Sequence, residues 1–223
     1  MSGKKASKKL YPDSHVEIQG LLARHYDFIL NTISLGFYTK FIKSTIASLN
    51  IQPGEHILDL GCGTGRNACL MYPYLNEKGN ILGLDVSEEM GQQFRENCKH
   101  LKNVAFKNQR IDISFKETDA FDRIFISFVI HGFPHKVRLQ ILQNIVSNLK
   151  VGGRLCILDF SEFKMSDMPF HERYLFKTFE CKYAFDFVER NWIQILSEQG
   201  FGNFQQRYWF KKYVRLLIAE KTR

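Results

Sequence analysis

The segment His56-Ile57-Leu58-Asp59-Leu60-Gly61-Cys62-Gly63-Thr64-Gly65 constrains the fold more than any other part of the chain. It reads as a buried strand running into a glycine-rich turn, with a carboxylate just before the first glycine. Glycines at alternate positions let the backbone turn sharply and approach a ligand with no Cβ in the way. A turn of this kind built for a dinucleotide offers its N–H groups and a helix N-terminus to a pyrophosphate. Asp59 at the strand end would repel that group and attract a ligand carrying an ammonium or sulfonium. Arg66 stands where G-x-G-x-x-G needs a small residue, and G-x-x-x-x-G-K-[ST] is absent, so a dinucleotide or a Walker-type phosphate cradle is disfavoured. Architecture alone could also account for a strand, a glycine turn and a helix.

A second acid points the same way. Asn80-Ile81-Leu82-Gly83-Leu84-Asp85-Val86-Ser87 reads as another buried strand ending in Asp85, with Ser87 as a helix N-cap and Glu88 and Glu89 in the first turn. Asp85 falls about 20 residues past the glycine turn, where an acid at the end of the second strand of a βαβ unit accepts from a ribose diol. A ribose acceptor beside a cation acceptor suggests S-adenosylmethionine (SAM). I-L-D-L-G-C-G-T-G followed by G-L-D-V-S resembles motifs I and II of the class I SAM-dependent methyltransferases. The cofactor-binding set expected from these stretches is Asp59, Gly61, Cys62, Gly63, Gly65, Asp85 and Val86.

Apolar residues make up 44% of the 223 positions and charged residues 24%, as in an ordinary globular domain. The net charge is +8, partly from Lys4, Lys5, Lys8 and Lys9, so residues 1–13 read as a basic flexible tail. Such a tail could meet an anionic membrane surface through weak, salt-sensitive attraction. The five cysteines are odd in number and lack C-x-x-C spacing, so they read as core residues in a reducing compartment, and no metal site is expected. No signal peptide or membrane span is visible, so the reading is cytoplasmic, at most membrane-peripheral.

Residues 14–223 read as one domain. Ser14 and Glu17 have capping-box spacing ahead of an apolar face formed by Ile18, Leu21, Leu22, Tyr26 and Ile29. Tyr38, Phe41, Ile42, Ile46 and Leu49 form another, so 14–50 is expected as a helical cap. Strands are expected near 55–60, 80–85, 104–107, 122–128 and 153–159. Leu139, Leu142, Val146 and Leu149 mark a helix between the last two. A helix near 188–199 stops at Gly200, and strands near 203–209 and 212–219 form a hairpin. Alternation alone specifies an α/β open sheet with helices on both faces. The resemblance implies a Rossmann-like, seven-stranded, mostly parallel sheet whose last strand is antiparallel.

Ligands of such sheets bind outside the carboxyl ends of the strands. The resemblance implies that Asp112, after the third strand, accepts from the adenine amino group, with Ile113 packed on the ring; a loop aspartate capping a turn is the simpler reading. Met90 could cover the other adenine face or belong to the core. Ser127 and Phe128, ending the fourth strand, could line the methionine moiety. His131 is the candidate catalytic residue: it titrates near neutrality and could take a proton from an acceptor hydroxyl, or only hydrogen-bond its loop. Residues 160–187 carry many aromatics, among them Phe160, Phe163, Phe170, Tyr174, Phe176 and Phe187. They suit a lid over an apolar acceptor, or packing of an insertion onto the domain.

His25-Tyr26-Asp27-Phe28-Ile29-Leu30-Asn31 and Ser34-Leu35-Gly36-Phe37-Tyr38 resemble the N-terminal block of the ubiquinone/menaquinone-biosynthesis C-methyltransferases, and Phe125-Ile126-Ser127-Phe128 extends the likeness. The resemblance implies that Tyr26 closes over the methionine end of SAM; as a residue it is also the apolar-face tyrosine of an amphipathic helix. His131-Gly132 stand where that family has Arg-Asn, and His135 replaces its acid, so the acceptor would be held differently. The expected activity is SAM-dependent methyl transfer to an apolar small molecule such as a quinol or phenol. The alternatives are a methyltransferase of RNA or protein, and a non-catalytic SAM-binding accessory protein. No appended RNA-binding module and no N/D-P-P-Y-type motif follow the fourth strand, which disfavours a nucleic acid partner.

Overall fold

The computed structural model describes Tyr11, Ser14 and residues 37–117 and 120–223. Tyr26 and the first expected helix lie outside the described residues. The order is α1 (Phe37–Ser48), β1 (His56–Leu60), α2 (Arg66–Leu75), β2 (Asn80–Asp85), α3 (Glu88–Cys98), β3 (Val104–Asn108), β4 (Phe121–Ser127) and α4 (His135–Asn148). Then come β5 (Leu149–Phe160), α5 (Phe170–Phe179), α6 (Lys182–Val188), α7 (Trp192–Glu198), β6 (Phe201–Trp209) and β7 (Val214–Lys221).

The strands form one seven-stranded sheet in the order β3-β2-β1-β4-β5-β7-β6. β1 to β5 are mutually parallel, while β7 runs antiparallel to both β5 and β6. This is the Rossmann-like α/β sheet with an antiparallel last strand that the motifs implied. The order reverses direction between β1 and β4, so the carboxyl ends of these strands open on the crevice where such sheets bind ligands.

Alternation along the central strands divides the core into two layers. Leu58 and Leu60 of β1 and Ile124 and Ile126 of β4 pack with Ile141 and Ile145 of α4 and Trp192 and Leu196 of α7. Ile57 and Phe125 face the other way, onto Ile42 and Ile46 of α1, Met71 of α2 and Phe94 of α3. Fully burying each such side chain contributes roughly 1.5–3 kcal/mol. Asp59 shares a face with Ile57, which puts its carboxylate in an apolar layer.

Three local expectations meet a different outcome. Of the expected stripe Leu139, Leu142, Val146 and Leu149, Leu142 and Leu149 are buried but Leu139 and Val146 only partly so, because α4 turns Arg138, Ile141 and Ile145 inward beside Leu142. β5 begins at Leu149 rather than near 153, with a register shift opposite Phe121 and Arg123. The helix expected near 188–199 is α7, which starts only at Trp192 because Asn191 accepts from the Gln194 N–H and caps it there. Gly200, at φ +87°, ends α7 as expected.

Candidate active site

Every expected site residue among those described lies at the carboxyl edge of the sheet. The Gly61 and Cys62 N–H groups both donate to the Leu84 carbonyl, which ties the glycine turn to the end of β2. The Gly63 N–H then donates to Asp85 Oδ2 at 2.9 Å, and the Ser87 N–H donates to Asp85 Oδ1 at 2.9 Å. The Ser87 hydroxyl accepts from the Met90 N–H, as its N-cap position required. Burial raises the Asp85 pKa, although these N–H donors oppose it.

Gly61, Gly63 and Gly65 all have positive φ, at 69°, 53° and 80°. A Cβ on Gly61 would lie 2.5 Å from Val129 Cγ2, so the turn packs tightly on the loop after β4. A Cβ on Gly63 would meet nothing within 4 Å, which leaves open space beside the Asp85 carboxylate. Asp59 is 1% exposed, and neither of its oxygens has a hydrogen-bond partner among the described residues. Burial, with the Asp85 carboxylate adding to it, pushes its pKa up to about 7. An unpaired buried carboxylate costs several kcal/mol, more than an apolar side chain at the same place would contribute. An orphaned acid beside a cradle without a Cβ fits a ligand that brings a cation, and so fits the ammonium and sulfonium of SAM.

Asp112 is paired otherwise than by a turn. Arg110 donates to both of its oxygens, at 3.0 and 2.6 Å, and the Tyr11 hydroxyl donates to Oδ2 at 2.6 Å. Burial opposes the ionised form, but Arg110 and Tyr11 outweigh it and lower the pKa. Tyr11 belongs to the segment expected to be a flexible tail; its ring also meets Phe133 edge-on at 5.3 Å. One lone pair on Oδ1 is left for a further donor. Ile113 is 45% exposed and Met90 buried, while the Val86 carbonyl accepts from Asn108.

On the other side of β1, Ser127 Oγ accepts from Asn67 Nδ2 at 3.0 Å. Phe128 follows at φ +53°, a conformation that costs a non-glycine residue about 1 kcal/mol. His131 sits in a tight turn beyond it, 2.7 Å from Asp159 Oδ1 through Nδ1 and 3.6 Å from Glu180 Oε2 through Nε2. Its ring lies 5.0 Å from Phe160 and 6.4 Å from Phe187, centroid to centroid. Burial alone would lower the His131 pKa, but the Asp159 carboxylate, with Glu180 behind it, outweighs burial and raises it. Asp159 is itself fixed by the Phe160 N–H at 2.8 Å. Asp159, Glu180 and Tyr11 are the site partners that reading along the chain missed. Only the acid ending β5, in the pattern already seen at β1 and β2, carried a signal.

Within residues 160–187 the chain forms two helices, α5 and α6, and buried Arg138 ties α6 to the His131 turn. Its guanidinium donates to the carbonyls of Ile130, His131 and Tyr183 and to Asp186 Oδ2.

A family model described as a methyltransferase domain matches residues 51–201. The demethylmenaquinone methyltransferase of Listeria welshimeri is 28% identical over 176 residues, covering 76% of this chain and 73% of that protein. That of Lactiplantibacillus plantarum is 32% identical over 153 residues, covering 65% and 63%. Among solved structures, a SAM-dependent methyltransferase from Aquifex aeolicus superimposes with a TM-score of 0.59 at 20% identity, over 81% of this chain and 89% of that one. The N-methyltransferase NodS from Bradyrhizobium japonicum, in complex with S-adenosylhomocysteine, gives 0.62 at 15% identity, over 82% and 87%. With the glycine turn and both acids in register, the chain belongs to the methyltransferase-domain family, as a class I enzyme that uses SAM as its methyl donor.

Proposed function

We propose that this methyltransferase acts on an apolar small molecule with an ionisable ring hydroxyl, a quinol or phenol. The observation that carries the reading is the His131 imidazole, oriented by Asp159 and enclosed by Phe160 and Phe187 beside the loop that packs on the glycine turn. The names of the relatives, demethylmenaquinone methyltransferases, agree with it.

The donor supplies an electrophilic methyl group on a sulfonium. Asp59, Gly61, Cys62, Gly63 and Gly65 hold its methionine end, together with Ser127 and, from outside the described residues, Tyr26. Asp85 and Val86 hold the ribose, and Met90, Asp112 and Ile113 the adenine. His131 receives the proton of the acceptor hydroxyl, which makes the oxygen or the adjacent ring carbon nucleophilic. An in-line displacement draws much of its rate from such positioning.

The test is transfer of labelled methyl groups from SAM to a dithionite-reduced naphthoquinone bearing one short prenyl chain, with SAM titrated calorimetrically into wild type and Asp85→Ala. The expected result is methylated quinol from wild type and much weaker SAM binding by the variant. SAM binding without methylation of any quinol or phenol offered would refute the acceptor class and leave the donor assignment standing.

A further inference from the structure

A cavity of about 560 Å³ opens between α5 and the turn joining β6 to β7. Met168, Leu175, Phe176 and Phe210 supply its apolar wall, and Glu180 reaches it from the end of α5. Glu180 is also the carboxylate 3.6 Å from His131 Nε2, so one side chain touches both the cavity and the imidazole. The inner wall continues to the donor side through rings in contact. Phe176 meets Phe160 at 5.0 Å, and Phe160 meets Phe128, the left-handed residue beside the glycine turn, at 6.4 Å. At the mouth, Leu175 and Phe210 are 51% and 55% exposed, and Tyr174 on α5 is 63% exposed. These are large apolar side chains that an apolar tail would cover.

We propose that this cavity is the acceptor subsite and that Glu180 holds the acceptor's hydroxyl there, relaying its proton to His131. The inference rests on the quinol or phenol reading above and gives it a place. An aromatic ring fits the Phe176 side of the wall, with its hydroxyl on Glu180 and its apolar substituent leaving past Leu175 and Phe210. The hydroxyl proton moves to the Glu180 carboxylate and on to His131. The methyl–sulfur bond breaks with its electron pair going to sulfur, and a bond forms from the acceptor oxygen or adjacent carbon to the methyl group. For attack through carbon, the ring C–H proton leaves as the oxygen regains one, so one proton departs per methyl group in either case. Asp159, which does not reach the cavity, is a positioning residue acting through His131.

Three variants test the proposal with the same prenylated naphthoquinol. Leu175→Trp narrows the mouth at an exposed position where folding is not at stake, and should raise KM for the quinol by roughly tenfold or more. Glu180→Gln should lower kcat about 100-fold. It should also move the acidic limb of the pH–rate profile to lower pH, because His131 loses a neighbouring negative charge. Glu180→Asp should recover part of the rate, and SAM affinity by calorimetry should stay unchanged in all three. Wild-type methylation of the quinol with unaltered KM, kcat and pH profile in the variants would overturn the cavity assignment and spare the acceptor class. Wild type that binds SAM but neither binds nor methylates the quinol would overturn both together.

Discussion

Gly61 and Gly63 both have left-handed backbone, yet they answer to different neighbours. Alanine at Gly61 meets Val129 at 2.5 Å as well as an unfavourable φ, and should cost about 3 kcal/mol in urea unfolding. Alanine at Gly63 meets no neighbour and should cost only about 1 kcal/mol, while weakening SAM binding more than its stability loss explains. Equal losses at the two sites would mean that the turn is architecture alone. For His131, Asp159→Asn should lower a pKa that the carboxylate now holds up. The acidic limb of kcat/KM should then move to lower pH, while the plateau falls by about 100-fold or more as the ring loses its orientation. A limb that stays in place would assign the titration to another group. Asp59 and Asp85 were legible as acids because each ends an apolar run next to its own turn. The partners of His131 were not, since Asp159 is 28 residues away and Glu180 farther still.

At the scale of elements, Arg138 ties α6 to the His131 turn. It is fully buried on α4 and satisfies three carbonyls from the His131 turn and α6 as well as Asp186. Arg138→Leu keeps the volume but strands those carbonyls, and should cost about 3 kcal/mol in denaturant unfolding. Protection of the α6 amides from hydrogen exchange should fall with it, and unaltered α6 protection would mean that packing alone docks the helix. The strands and helices α1 and α3 were readable because each has one clear period. Met90, Phe94 and Cys98 recur every four residues on α3, behind a serine cap. α5 and α6 were not readable as helices: aromatics crowd the whole segment, and no single face stands out until a partner surface selects one. The inward turn of Arg138 on α4 was hidden for the same reason, since a buried arginine is indistinguishable in sequence from a solvated one.

For the molecule as a whole, the orphaned acid in the core links stability to pH. The Asp59 pKa rises from 3.8 in the unfolded chain to about 7 when folded, so the stability tied to its protonated form is present in full below pH 4 and lost as pH rises through 7. The loss for the ligand-free protein is roughly 4 kcal/mol over that interval. Wild type should therefore be less stable to urea at pH 8 than at pH 5, beyond what Asp59→Asn shows. The variant should flatten that slope and bind SAM poorly. Saturating SAM should restore wild-type stability at pH 8, since its ammonium favours the charged carboxylate. A slope identical in wild type and variant would show that Asp59 is not the group that titrates.

Local chemistry along the chain determined the parallel α/β core, the glycine turn, the two acids at strand ends and the methyl donor that they suit. Each of these depends on residues near one another in sequence, where spacing and periodicity speak directly. Tertiary structure alone decided that Asp59 has no hydrogen-bond partner among the described residues, that Arg110 and Tyr11 hold Asp112, and that Asp159 and Glu180 flank His131. It also decided that α5 and the β6–β7 turn enclose a cavity beside that histidine. Those are contacts between distant segments, set by sheet order and by which helix face is buried, and no single stretch of sequence carries them.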